Sequence, residues 1–224
     1  VGSEMCIRDR YKTGQPVDTL LTSVAAFDDA SLGFSSYEFS SDERFVVLTT
    51  ESEGLYRHSF FANFHVYDMT TSAQARPVTD FSRGKQRLAQ LSPTGDKVAF
   101  VRDNNIFVSD LASGDEVTVT TDGTFNHIIN GATDWVYEEE FGDDQALFWS
   151  GDGQRLAYLK FDESAVREFH MPVYGSLYPD PYTFKYPKAG EDNSKVSVHI
   201  FNLAEGMSKA VSYTHLTLPT TEAV

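Results

Sequence analysis

The sequence predicts an all-β chain, part of a β-propeller with roughly four blades in view and one short helical turn. Apolar residues recur mostly in short alternating runs, and 13% of the chain is aromatic. A pattern of Ser, tight turn and strand recurs three times, at spacings of 52 and 58 residues. No long segment with a 3.6-residue apolar period competes with these signals.

The runs Phe45-Val46-Val47-Leu48, Val98-Ala99-Phe100-Val101, Ile106-Phe107-Val108 and Leu156-Ala157-Tyr158-Leu159 read as strands separated by turn signals. The repeat comprises Ser40-Ser41-Asp42-Glu43-Arg44-Phe45, then Ser92-Pro93-Thr94-Gly95-Asp96-Lys97, then Ser150-Gly151-Asp152-Gly153-Gln154-Arg155. A second element follows in Val66-Tyr67-Asp68-Met69, Val108-Ser109-Asp110-Leu111 and Ile200-Phe201-Asn202-Leu203, each a strand ending in a polar turn. One hairpin cannot bury both faces, so a several-stranded repeat of about 50 residues implies stacked or radially arranged sheets. A propeller satisfies this best, and a β-sandwich with accidental internal similarity is the other reading. Met171 to Gly190, with Pro172, Pro179, Pro181 and Pro187, breaks the period and reads as an ordered insertion between blade strands.

Both ends read as artificial. Val1 to Asp9 is one frame of a transposon-type sequencing adapter, and Val211 to Thr220 matches its reverse complement read onward. Residues 1–10 and 211–224 are therefore set aside, leaving 11–210 as the natural segment. Removing the ends moves the formal charge only from −15 to −14. That acidity disfavours nucleic acid and anionic membranes as partners. The one cysteine, Cys6, lies in the first scar, so 11–210 offers no disulfide, thiol nucleophile or Cys-based metal site. His58, His65, His127, His170 and His199 show no metal-ligand spacing, and nothing calls for a cofactor. No apolar run is long enough to span a bilayer, and no Gly-x-Ser-x-Gly elbow occurs.

The residues most charged with function are Asp134-Trp135-Val136-Tyr137-Glu138-Glu139-Glu140-Phe141. Adjacent carboxylates repel, so a cluster beside bulky apolar groups calls for a bound cation such as a peptide α-ammonium. A solvated acidic turn is the plainer alternative. This run, with Asn130 to Thr133 before it and Ala146 to Ser150 after it, resembles the N-terminal propeller of the dipeptidyl peptidase IV family of serine peptidases. Tyr56-Arg57-His58-Ser59-Phe60 and Tyr186-Pro187-Lys188-Ala189-Gly190 carry the same resemblance, in order, and it extends over essentially all of 11–210. Phe141-Gly142-Asp143-Asp144-Gln145 departs from the more hydroxyl- and aromatic-rich stretch of the animal enzymes.

The resemblance implies an eight-bladed propeller. Glu139 and Glu140 would grip the free α-amino group of a peptide, and Arg57 would hold a carbonyl oxygen near it. It further implies a Ser-Asp-His triad in an α/β-hydrolase domain downstream of Ala210, so this stretch alone should not cleave peptides. The expected parent is an exopeptidase releasing Xaa-Pro or Xaa-Ala dipeptides. It would be extracytoplasmic (periplasmic or at the cell surface) and a homodimer when full-length. A prolyl tripeptidyl peptidase and a non-catalytic propeller scaffold are the alternatives.

Neighbouring residues of a strand face opposite ways. A short helical turn anchored by Trp135, Val136 and Tyr137 is therefore expected to bring both Glu side chains to one site. As a close pair they should titrate together. Glu138 has a supporting role, holding the helix or pairing with an arginine, or serves as a third ligand. His58 reads as structural, and Trp135, Tyr137, Phe148 and Trp149 as core or pocket wall.

Overall fold

The computed structural model describes residues 10–12, 15–17, 26–27, 32–71, 74–175 and 177–212. Residues 1–9 and 213–224, most of the expected adapter scars, lie outside them. A two-stranded ladder of β1 (Arg10–Lys12) and β2 (Gln15–Val17) comes first. Then come three antiparallel sheets, each about four strands wide, where roughly four blades were expected. The first contains β3 (Phe34–Phe39), β4 (Phe45–Gly54), β5 (Phe60–Asp68) and β6 (Arg76–Pro77). The second contains β7 (Arg87–Leu91), β8 (Lys97–Arg102), β9 (Asn105–Asp110) and β10 (Glu116–Thr118).

In the third, the first strand is split. Both β11 (Ile128–Asn130) and β12 (Leu147–Trp149) pair with β13 (Arg155–Asp162), and helix α1 (Trp135–Phe141) lies between them in sequence. A separate hairpin, β14 (Glu168–Val173) with β15 (Asp180–Lys185), precedes the sheet's last two strands, β16 (Lys195–Asn202) and β17 (Met207–Ala210). That hairpin is the insertion expected from the proline-rich break. Its tip is exposed, with Leu177 at 92% and Tyr174 at 79% of full accessibility.

The continuous apolar runs are explained by sheets buried on both faces. Along β4, Phe45 and Val47 join one core with Ala62, Phe64, Val98 and Phe100, while Val46 and Leu48 join another with Phe27 and Tyr67. Along β8, Val98 and Phe100 face the first sheet, while Ala99 and Val101 pack with Leu147, Leu156, Phe161 and Phe201 of the third. Period-2 alternation therefore puts alternate side chains into successive blade interfaces. Each fully buried Phe contributes about 1.5–3 kcal/mol. Glu38 of β3, Leu88 and Leu91 of β7, and Phe148 and Trp149 of β12 line one groove, so the first strands of all three sheets converge.

The repeated motifs have one local structure. In each turn the Ser hydroxyl accepts the backbone N–H of the residue five positions on: Phe45 to Ser40 at 2.9 Å, Lys97 to Ser92 at 3.1 Å, Arg155 to Ser150 at 2.9 Å. The same hydroxyl donates to an Asp of the turn, Asp42, Asp96 or Asp152. In the second element, Asp68, Asp110 and Asn202 each accept a backbone N–H two residues on, closing the outgoing turn. The described residues contain no helix long and apolar enough to cross a membrane.

Candidate functional site

Helix α1 emerges through a narrow neck in the third sheet. The Ala146 N–H donates to the Gly131 carbonyl at 3.1 Å, and the Gly131 N–H to that of Leu159 at 3.0 Å. Gly131 sits at φ +76°, and a Cβ there would lie 2.8 Å from Ile106 Cγ1, so only glycine fits. Asp134 caps the helix by accepting the Tyr137 N–H at 3.0 Å, and its other oxygen accepts the Ser194 hydroxyl at 2.5 Å. Gly142, in the left-handed conformation, ends it.

Aromatic packing fixes the helix on both sides. The Trp135 ring lies 4.6 Å from Tyr186 and 6.3 Å from Phe184 of the hairpin, and Tyr137 meets Phe161 edge-on at 4.9 Å. The Tyr56 ring lies 6.4 Å from Phe184, bringing the β4–β5 loop into the same aromatic cluster. Of the three expected anchors, Trp135 and Tyr137 make these aromatic contacts, and Val136 lines a groove beside Tyr186. Phe148, half exposed, lines the groove between first strands rather than the core.

The helix separates the three glutamates by direction. Glu138 is fully buried, and its Oε1 accepts the N–H groups of His58 at 2.7 Å and Ser59 at 2.8 Å. It therefore holds the backbone of the loop that carries Arg57 and cannot itself reach a ligand. Glu139 meets Arg57 in a bidentate pair, Nε to Oε2 at 3.0 Å and Nη2 to Oε1 at 2.5 Å. Glu140 is exposed and lines a shallow groove with Trp135, Val136, Tyr186, Pro187 and Lys188. Arg57 and His58 are exposed, and the His58 contribution to this contact is its backbone N–H.

Glu139, expected to titrate as a close pair with Glu140, is bonded to Arg57. The Arg57 hydrogen bonds hold the Glu139 carboxyl below the ordinary range, and the same bonds raise the guanidinium. Glu139 is thus neutralised by a cation of the chain, whereas no ion pair of Glu140 is found among the described residues.

Glu163, which the sequence did not mark, is buried near Asp134, the cap of the helix. Burial, and then the Asp134 carboxylate, push it up to about 7, against Lys185 and His127. Its folded form holds a proton that the unfolded chain releases near 4.5. Stability is therefore highest below about 4.5 for this group and falls as pH rises toward 7, by on the order of 3 kcal/mol. Glu163→Gln is expected to flatten that slope in thermal unfolding followed from about pH 5 to 8. A slope unchanged from wild type would remove Glu163 as its source.

Comparison with known proteins follows the same outline. Residues 40–223 match the family described as the dipeptidyl peptidase IV N-terminal region. A crystal structure of Porphyromonas gingivalis dipeptidyl peptidase 4 is 45% identical with a TM-score of 0.85, over 94% of this chain and 29% of that one. A probable dipeptidyl-aminopeptidase B of Podospora anserina is 36% identical over 77% of this chain and 20% of its own length. Dipeptidyl aminopeptidase B of Saccharomyces cerevisiae is 35% identical over 80% of this chain and 22% of its own. The chain thus spans about a fifth of the curated relatives.

Proposed function

The chain belongs to the dipeptidyl peptidase IV family, and on that footing we propose that it is the substrate-recognition part of a serine exopeptidase releasing N-terminal Xaa-Pro or Xaa-Ala dipeptides. The observation that supports this best is the charge balance at the helix. Arg57 offsets Glu139, leaving the exposed Glu140 to give the site a net charge of one unit negative. A peptide α-ammonium carries the opposite unit and three donors, enough to bridge Glu139 and Glu140. Arg57 uses Nε and Nη2 on Glu139, so Nη1 remains to hold a substrate carbonyl oxygen. Arg57 and Glu139 thus mark where a peptide begins, and a nucleophile a fixed distance away would cut after the second residue.

The catalytic Ser-Asp-His residues belong, in this reading, to a hydrolase domain outside the chain. The full-length protein is an extracytoplasmic homodimer, acting in the periplasm or at the cell surface. Its test uses the full-length gene and chromogenic peptides. Xaa-Pro substrates with a free amine are expected to be cleaved, and their N-acetylated forms to be cleaved at least about 100-fold more slowly. Faster cleavage of Xaa-Xaa-Pro would assign a tripeptidyl enzyme. Indifference to acetylation would remove the amine site altogether.

A further inference from the structure

Arg87, on the first strand of the second sheet, is only 4% exposed, and its Nε and Nη2 have no hydrogen-bond partner. Glu138 is fully buried, and its Oε2 likewise has none. Both adjoin the Arg57 loop: Glu138 bonds the N–H groups of His58 and Ser59, and Arg87 lines a cavity with Ser59 and Asp144. Their fields reach each other, and the other ionisable groups facing this interior are Tyr37, Glu38, Tyr56, Tyr182, Glu163 and Asp144. Every one of these except Arg87 is neutral or acidic. A buried carboxylate with one oxygen unbonded is costly unless a cation stands near it.

We propose that Arg87 is a positioning residue of the amine site: its buried charge offsets that of the Glu138 carboxylate, which holds the loop presenting Arg57 to Glu139. Without it the buried carboxylate would stand uncompensated, its hold on the two N–H groups would loosen, and the Arg57 fork would lose its fixed approach. Substrate affinity would fall through a residue that never touches substrate. This inference rests on the proposed amine site for its kinetic consequence, but the Arg87–Glu138 coupling stands apart from it.

The experiment uses the full-length protein with Arg87→Met, Arg87→Lys, Glu138→Gln and the Arg87→Met/Glu138→Gln double variant. Arg87→Met is expected to raise KM for free-amine dipeptide substrates on the order of tenfold, with kcat changed less. Arg87→Lys keeps the charge and should keep a KM near that of wild type, which serves if Arg87→Met does not fold. The double variant, with neither buried charge, should unfold at a higher temperature than Arg87→Met alone. A KM unchanged in Arg87→Met, or a double variant whose losses simply add, would overturn the proposal. If wild type ignores acetylation of the amine, the amine-site reading falls, and the unfolding cycle alone decides for or against the pair.

Discussion

Glu139→Gln in the full-length protein is expected to lower kcat/KM on free-amine dipeptide substrates by roughly 10- to 100-fold, with the fold intact. The carboxamide keeps the size of the side chain but loses the charge that the Arg57 fork and an α-ammonium share. One of its two ends would present N–H groups toward other donors, so half of the bidentate contact turns repulsive. Arg57→Lys should be nearly as damaging. A lysine replaces two parallel bonds with one point charge and leaves no planar donor for a substrate carbonyl. Because Arg57 and Glu139 are both solvent-facing, the unfolding temperature should barely move. Wild-type kinetics in both variants would sink the assignment of these residues.

Glu138→Ala is expected to do the reverse, damaging structure as well as recognition. It strands two backbone N–H groups and, on the proposed coupling, leaves the Arg87 charge buried without compensation. Breaking a buried charge arrangement in this way costs about 3–5 kcal/mol. The cost should be local: the amides of His58 and Ser59 should exchange hydrogen on the order of 100-fold faster, while the strand amides of β8 and β13 keep their protection. Exchange at His58 and Ser59 as slow as in wild type would show that Glu138 is not what holds the loop.

Much of the fold was legible because its signals are local. The Ser turns at Ser40, Ser92 and Ser150 repeat in sequence because each closes the same short hairpin with the same hydroxyl. The helix at Trp135–Phe141 was legible for a different reason: two acids expected to serve one ligand cannot sit side by side on a strand. The direction of each glutamate was not. Glu138 turns inward because the loop across from it offers two unpaired N–H groups, and that loop lies about 80 residues earlier. The parts played by Arg87, Tyr56, Phe184 and Glu163 were hidden likewise, since each depends on what another sheet or the hairpin brings near. The one local hint was Arg87 itself, a charged residue opening an otherwise mostly apolar strand.

The Arg57–Glu139 pair spans 82 residues of chain and joins the first sheet to the third. During synthesis that separation becomes time. At roughly 5–20 residues per second, Arg57 waits about 4–16 s for its partner to leave the ribosome. Throughout that interval the first two sheets can fold, yet the loop bearing Arg57 lacks the Glu138 contacts that order it. A nascent chain therefore presents no competent grip on the many free N-termini around it. On the proposed amine site, recognition begins only when the third sheet closes, so the ability to hold a peptide would also certify that this part of the protein has finished folding.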